Sequence, residues 1–155
     1  MKKNIVIVRS ALNMGGAQRV LSILANNWQE RGHDVTLMVT YSDEIESHYD
    51  LHENVVIKKL TNNPLVPKSK INLIWKLFQL RKYIKKQNPD IIISFLARVN
   101  VASRLATIGL KNSLVICERT WPPFASLSDK FLWIYKILFR GVHMAIVQTE
   151  KSKSW

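Results

Sequence analysis

The chain is poor in acids, has one cysteine and contains no long apolar run. Eleven Asp and Glu stand against 23 Lys and Arg among 155 residues, a formal net charge of +12. That balance excludes an acidic, solvating polypeptide and favours anionic partners: nucleic acid, an anionic membrane surface or phosphorylated substrates. Cys117 has no second cysteine to pair with, and it sits in the apolar run Leu114-Val115-Ile116-Cys117. It reads as a buried, reduced thiol, compatible with the cytoplasm. No stretch approaches the roughly 20 apolar residues that span a bilayer. Met1-Lys2-Lys3 resembles the start of a secretory leader, but Arg9 breaks the apolar run after Val8, so no leader is expected. No G-x-G-x-x-G and no P-loop are present. No Ser–His–Asp or Cys–His arrangement stands out. His48 and His52 lie four apart in an acidic segment with no third ligand, so no metal is expected.

What is present describes a packed α/β domain. Hydrophobic residues make up 47% of the chain, enough for one core-bearing domain over residues 1–155, with no internal repeat or linker. Short continuous apolar runs predict strands at Asn4–Val8, Val35–Thr40, Val55–Lys59, Asp90–Phe95, Leu114–Cys117 and Ala145–Gln148. Continuous rather than alternating runs suit strands of a parallel sheet buried on both faces. Ala17, Val20, Leu21, Leu24, Ala25 and Trp28 share one face of a helix that Gly32 ends, and another helix is predicted over Val101–Leu110, stopped near Gly109. Strands alternating with helices predict a doubly wound, mainly parallel, Rossmann-like sheet.

The charge is polarised. Asp43, Glu44, Glu46, Asp50 and Glu53 fall in one short segment, whereas Lys68 to Lys86 carries seven basic residues and no acid. In the helix Lys70–Gln87, Leu73, Leu77, Leu80 and Ile84 form a core stripe; Ile71, Ile74, Trp75 and Phe78 lie off it, among Lys82 and Lys85. In Leu127–Arg140 the stripe is Leu127, Phe131, Ile134 and Leu138, leaving Trp133, Tyr135 and Phe139 beside Lys136 and Arg140. Surplus aromatics interleaved with cations suit a helix in a membrane interface, with Trp75, Lys82, Lys85, Lys86 and Trp133 as contacts. Burial against another domain or loop is the alternative. No nucleic-acid-binding signature accompanies the charge.

In an open parallel sheet, ligands bind beyond the carboxyl ends of the strands. Polar residues collect there: Ser10, Asn13, Gly15 and Gly16 after the first strand, Arg98 and Asn100 after the fourth, Glu118, Arg119 and Thr120 after the fifth, Gln148, Thr149 and Glu150 after the sixth. Gly15-Gly16 between a strand and an amphipathic helix leaves helical N–H groups open to an anion, or else serves a tight turn with close packing. Glu118-Arg119 could hold sugar hydroxyls and a phosphate or form a structural ion pair. Asn100 could bind a ligand or cap the helix that follows.

Five motifs in order resemble the N-terminal half of the retaining glycosyltransferases of family 4, which have the GT-B fold. Met14-Gly15-Gly16-Ala17-Gln18-Arg19-Val20 is similar to the family's G-G-A-E-R-V, and Arg31-Gly32-His33-Asp34-Val35 to its R-G-H-x-V. Pro89-Asp90-Ile91-Ile92-Ile93-Ser94-Phe95 resembles P-D-V-V-x-S, Ile116-Cys117-Glu118-Arg119-Thr120 resembles S-E-R-N, and Val147-Gln148-Thr149-Glu150 resembles Q-T-E. The resemblance implies an acceptor-binding domain lined by Asn13, Arg98, Asn100, Glu118 and Arg119. Gly15 and Gly16 would approach the donor diphosphate and transferred sugar through backbone N–H groups. It implies no metal and no cofactor, the nucleotide-sugar being a substrate, and acceptors that are glycans or lipid-linked, in polysaccharide or glycolipid synthesis. The location implied is cytoplasmic, with peripheral attachment to the inner face of the membrane.

Gln18 stands where the family has Glu and Thr120 where it has Asn, so neither position should carry an essential carboxylate or amide. No Glu is followed by another eight positions later, so the family's E-x7-E is absent from these residues and its nucleotide-binding second domain is expected to be missing from them. The chain alone is therefore expected to transfer no hexosyl group. The competing reading is a non-catalytic basic α/β module that binds anionic membrane or a protein partner. An epimerase-like or response-regulator-like domain is disfavoured, the first by the missing G-x-G-x-x-G, the second by Arg9-Ser10 where acids belong.

Overall fold

The computed structural model describes residues 1–12, 15–40, 47–62, 71–119 and 128–153. Asn13, Thr120 and Leu127, each given a role by the sequence, lie outside them. Six strands, β1 (Asn4–Arg9), β2 (Asp34–Val39), β3 (Val56–Lys59), β4 (Ile91–Phe95), β5 (Ser113–Cys117) and β6 (Met144–Ile146), form one sheet in the order β3-β2-β1-β4-β5-β6. Every pairing is parallel. The order reverses between β1 and β4, the switch point of a doubly wound sheet.

The helices are α1 (Gly16–Glu30), α2 (Ile71–Gln87), α3 (Ala97–Thr107), α4 (Asp129–Phe139) and the short α5 (Glu150–Lys153). β1 is buried on both faces, which is why it reads as an unbroken apolar run. Ile5 and Ile7 meet Leu21 and Ala25 of α1 on one face, while Val6 and Val8 meet Leu80 and Ile84 of α2 on the other. α1 stops at Gly32, whose φ of 82° lets the chain turn back and His33 N–H donate to the carbonyl of Trp28 (3.0 Å). At the amino edge, the Asp90 carboxylate accepts from Asn4 N–H (2.8 Å) and from Lys3 Nζ (3.2 Å).

Four expectations need correction. α3 begins at Ala97, not Val101, so Asn100 lies inside the helix and caps nothing. Leu73 is exposed; α2 packs on the core through Leu77, Leu80, Tyr83 and Ile84. In α4, Tyr135 is the buried residue and Ile134 is exposed. The Tyr135 ring packs edge-on against Phe139, with centroids 3.7 Å apart, and its hydroxyl finds a buried acceptor on β5 that Ile134 could not use. β6 is a short, exposed edge strand, ending at Ile146 rather than Gln148.

Candidate functional site at the carboxyl edge of the sheet

The first element of the site is the open end of α1. Gly15 has φ 156° and ψ 159°, a conformation that side chains disfavour. The helix's first bond runs from Arg19 N–H to the Gly15 carbonyl (3.0 Å). The N–H groups of Gly16, Ala17 and Gln18 therefore precede the helical ladder, and the first turn carries no acid. Gly16 adopts no restricted φ, and a Cβ there would meet nothing within 4 Å. The fold does not require glycine at this position. Its missing side chain leaves space over the positive end of the helix, which suits an approaching anion.

The second element is a buried polar network at the ends of β4 and β5. Glu118 follows β5 and is buried. Its Oε2 accepts from the Tyr135 hydroxyl and from Asn100 Nδ2 (3.4 Å), and its Oε1 accepts from Arg119 N–H (3.2 Å). Asn100, fully buried, also donates to the Cys117 carbonyl (3.4 Å) and accepts from Ser94 Oγ (2.7 Å). Burial first, and the Glu118 carboxylate second, push the Tyr135 phenol well above its usual range. The Cys117 thiol is pushed up to about 11 by burial, so it is the inert core thiol the sequence indicates. Between the two strands, Leu96 holds φ 76° and ψ 142°. That is a strained conformation for a γ-branched residue, fixed by bonds to the Cys117 carbonyl (3.2 Å) and from Asn100 N–H (2.8 Å).

The third element is a cavity of about 720 Å³ between α2, α3 and the start of α4. Leu60, Leu77, Leu80, Val101, Leu105 and Phe131 make its walls largely apolar, and Arg98 and Lys76 supply cations. Thr40 and Leu60, just past β2 and β3, place it at the carboxyl edge. Its volume lies within the range of small-molecule sites. Beside it, α2 exposes Leu73, Ile74, Trp75 and Phe78 near its start and Lys82, Lys85 and Lys86 toward its end. The face is thus apolar beside the cavity and basic away from it. On α4, Trp133, Ile134 and Ile137 are exposed as well. Among the described residues no helix is long and apolar enough to cross a membrane.

The family model for Glycosyltransferase Family 4 matches residues 14–155. The chain belongs to that family. A GalNAc-alpha-(1->4)-GalNAc-alpha-(1->3)-diNAcBac-PP-undecaprenol alpha-1,4-N-acetyl-D-galactosaminyltransferase of Campylobacter jejuni is 36% identical over 123 residues, 77% of this chain and 33% of the relative. The amylovoran biosynthesis glycosyltransferase AmsD of Erwinia amylovora is 29% identical over 121 residues, 76% of this chain and 32% of the relative. A sucrose-phosphate synthase from Thermosynechococcus elongatus shares the fold with a TM-score of 0.78 at 12% identity, covering 99% of this chain and 44% of that one. The chain thus spans about a third of the length of these curated relatives. The Campylobacter relative is named for a PP-undecaprenol-linked glycan and the Erwinia relative for amylovoran biosynthesis.

Within this glycosyltransferase domain, the residues singled out from sequence divide into two groups. Gly15, Gly16, Arg98 and Arg119 reach the carboxyl edge with surface to offer. Asn100 and Glu118 reach it too, but their polar groups are engaged in the buried network. Gln148 and Glu150 are exposed, and Thr149 instead accepts from Ser152 N–H (3.1 Å) at the start of α5. His52 Nδ1 accepts from Asn54 N–H (3.2 Å), a local turn bond. Sequence reasoning overlooked Tyr135 and Leu96. A strand-end carboxylate such as Glu118 calls for a donor, but nothing in the sequence named Tyr135.

Proposed function

We propose that this domain is the acceptor-binding half of a retaining glycosyltransferase that moves a hexosyl group from a nucleotide-sugar to a lipid-linked or polysaccharide acceptor. The observation that carries the reading is that the uncapped α1 terminus and an apolar cavity holding Arg98 both lie at the carboxyl edge of the sheet. The terminus suits the charge that develops on a diphosphate leaving group. The cavity suits an acceptor that joins an apolar portion to an anionic one, as in the PP-undecaprenol substrate named for the Campylobacter relative. Arg98 and Arg119 take the acceptor side, and Asn100 and Glu118 act by fixing the ends of β4 and β5. Gly15 and Gly16 face the donor. The reaction needs no metal in this reading, and the donor's base is held by a second domain, so these 155 residues alone transfer nothing.

The test is transfer of labelled N-acetylhexosamine or hexose from nucleotide-sugars into an organic-extractable or polymeric product. Joined to the nucleotide-sugar-binding domain, the wild-type chain should transfer, and Gly16→Trp, placed where a Cβ would meet nothing within 4 Å, should abolish that transfer while the protein stays folded. An active Gly16→Trp protein would overturn the assigned role.

A second reading has its own observation, the exposed apolar and basic face of α2. It supports peripheral attachment to an anionic membrane, on the cytoplasmic face where lipid-linked acceptors present their head groups. Cosedimentation with anionic against neutral vesicles checks it; equal binding to both would contradict it.

A further inference from the structure

Arg9 closes β1 in the middle of the sheet, and its side chain is buried without a partner. It is 7% exposed, and Nε and Nη1 are both shut off from solvent with no hydrogen bond. The backbone is fully used: the Arg9 carbonyl accepts from Thr40 N–H (2.8 Å) and from Thr40 Oγ1 (3.1 Å). The guanidinium is not. The ion pairs among the described residues join Lys2 to Asp34, Lys3 to Asp90 and Lys153 to Glu150, and none involves Arg9.

Its surroundings place it under the open helix end. Arg9 is in register with Val39, whose side chain belongs to the core layer between the sheet and α1, with Ile7 and Leu21. Register partners in a parallel pair share a face, so Arg9 enters that same layer at the carboxyl edge, where α1 begins. In the first turn of α1, Gln18 is fully buried and its Oε1 also lacks a partner. An unpaired buried guanidinium is a costly arrangement, and desolvation holds its pKa below the ordinary value. Helix polarity adds to the same positive potential, and the first turn supplies no acid to offset it.

We propose that Arg9 is an oxyanion-binding residue that, together with the α1 terminus at Gly15–Gly16, holds a phosphoryl group of a substrate. Its buried donors supply charge-assisted hydrogen bonds, and the ligand supplies the acceptor the fold withholds. A phosphoryl group could come from the donor's diphosphate or from the acceptor's. The inference rests on the anion role proposed for the α1 terminus and adds a residue to it.

The probe is inorganic pyrophosphate, titrated calorimetrically into the wild-type protein and Arg9→Met. Binding to Arg9→Met should weaken by roughly tenfold or more, the loss of a charged hydrogen bond. With no ligand present, Arg9→Met should unfold at a higher temperature than wild type, because an uncompensated buried charge is replaced by a packed apolar chain. A purely structural Arg9 gives the reverse: lower unfolding temperature and unchanged affinity, which would overturn the proposal. Should Arg9→Met not fold, the Arg9 Nε–H resonance of the wild type decides. It should move on pyrophosphate addition, and a stationary signal refutes the assignment. Competition by uridine diphosphate and by geranyl diphosphate then separates the sources, since only the ligand that Arg9 holds loses affinity in Arg9→Met; no loss for either contradicts the proposal. Gly16→Trp separates this inference from the one beneath it. Pyrophosphate lost in Gly16→Trp but kept in Arg9→Met leaves the helix terminus standing and removes Arg9 alone.

Discussion

The Tyr135 hydroxyl donates to Oε2 of Glu118, tying α4 to the carboxyl end of β5 through a bond buried on both sides. Asn100 completes the connection from α3, so α3 and α4, which both flank the cavity, are tied to the end of β5 by one carboxylate. The network explains how a loop-borne Arg119 can keep a defined position at the edge of the sheet.

Removing the phenol should expose this dependence. Tyr135→Phe preserves the ring packing on Phe139 and Phe131 but leaves the carboxylate short of a donor. The expected cost is about 1.5–3 kcal/mol, the worth of a hydrogen bond to a charged group. Thermal or denaturant unfolding measures it. The pH profile adds a sign. Burial and the Glu118 carboxylate raise the Tyr135 pKa above its ordinary value of 10.0, so its contribution is complete below that pH and is lost as pH rises beyond it. Wild type should lose stability more steeply above about pH 10 than Tyr135→Phe.

Asp90 makes the opposite prediction at the amino edge. Its bonds from Asn4 N–H and Lys3 depress its pKa below 3.8. The stabilisation is therefore present above that value and disappears as pH falls through the folded-state pKa. Asp90→Asn should flatten the acid limb of the stability curve. The effect should shrink in salt, because the Lys3 pair is exposed.

The two glycines of the helix terminus should behave differently. Gly15→Ala forces a side chain into φ 156° and should cost on the order of 1–3 kcal/mol. Gly16→Ala meets no neighbour and has no strained backbone, so stability should be unchanged or slightly raised. Comparative thermal melts distinguish them.

On α2, apolar and basic residues should make separable contributions to membrane binding. Trp75→Ala with Phe78→Ala should weaken binding to neutral and anionic vesicles alike. Changing Lys82, Lys85 and Lys86 to Glu should remove the preference for anionic lipid, at about 1 kcal/mol per lysine. Vesicle cosedimentation at low and high salt reads both effects.

Much of this architecture was legible because buried parallel strands write continuous apolar runs, and β1, β4 and β5 all do. α1 was equally plain, framed by Gly15-Gly16 and by Gly32 at φ 82°. The start of α3 was not, because Leu96 serves as its N-cap in a strained conformation with no capping side chain. Asn100, which could equally have bound a ligand or capped the helix, is held inward by Ser94 and Glu118. α4 misled for a related reason. Helical spacing alone chose Ile134 for the core, whereas a carboxylate 17 residues earlier in the chain decided for Tyr135. At the site, Gly15, Gly16, Arg98 and Arg119 could be read from their positions after strands. Arg9 could not, since its significance lies in a missing partner, which only three-dimensional packing reveals.

The central claim, that this domain holds an anionic acceptor with an apolar portion, is tested most directly by equilibrium binding. The measurement is titration of a polyprenyl-diphosphate-linked sugar, in detergent, into the protein and into Ala102→Trp, which fills the cavity between α2 and α3. Saturable binding to wild type that is lost in a folded Ala102→Trp is the predicted result. Absence of binding, or binding that the tryptophan leaves unchanged, would contradict the account.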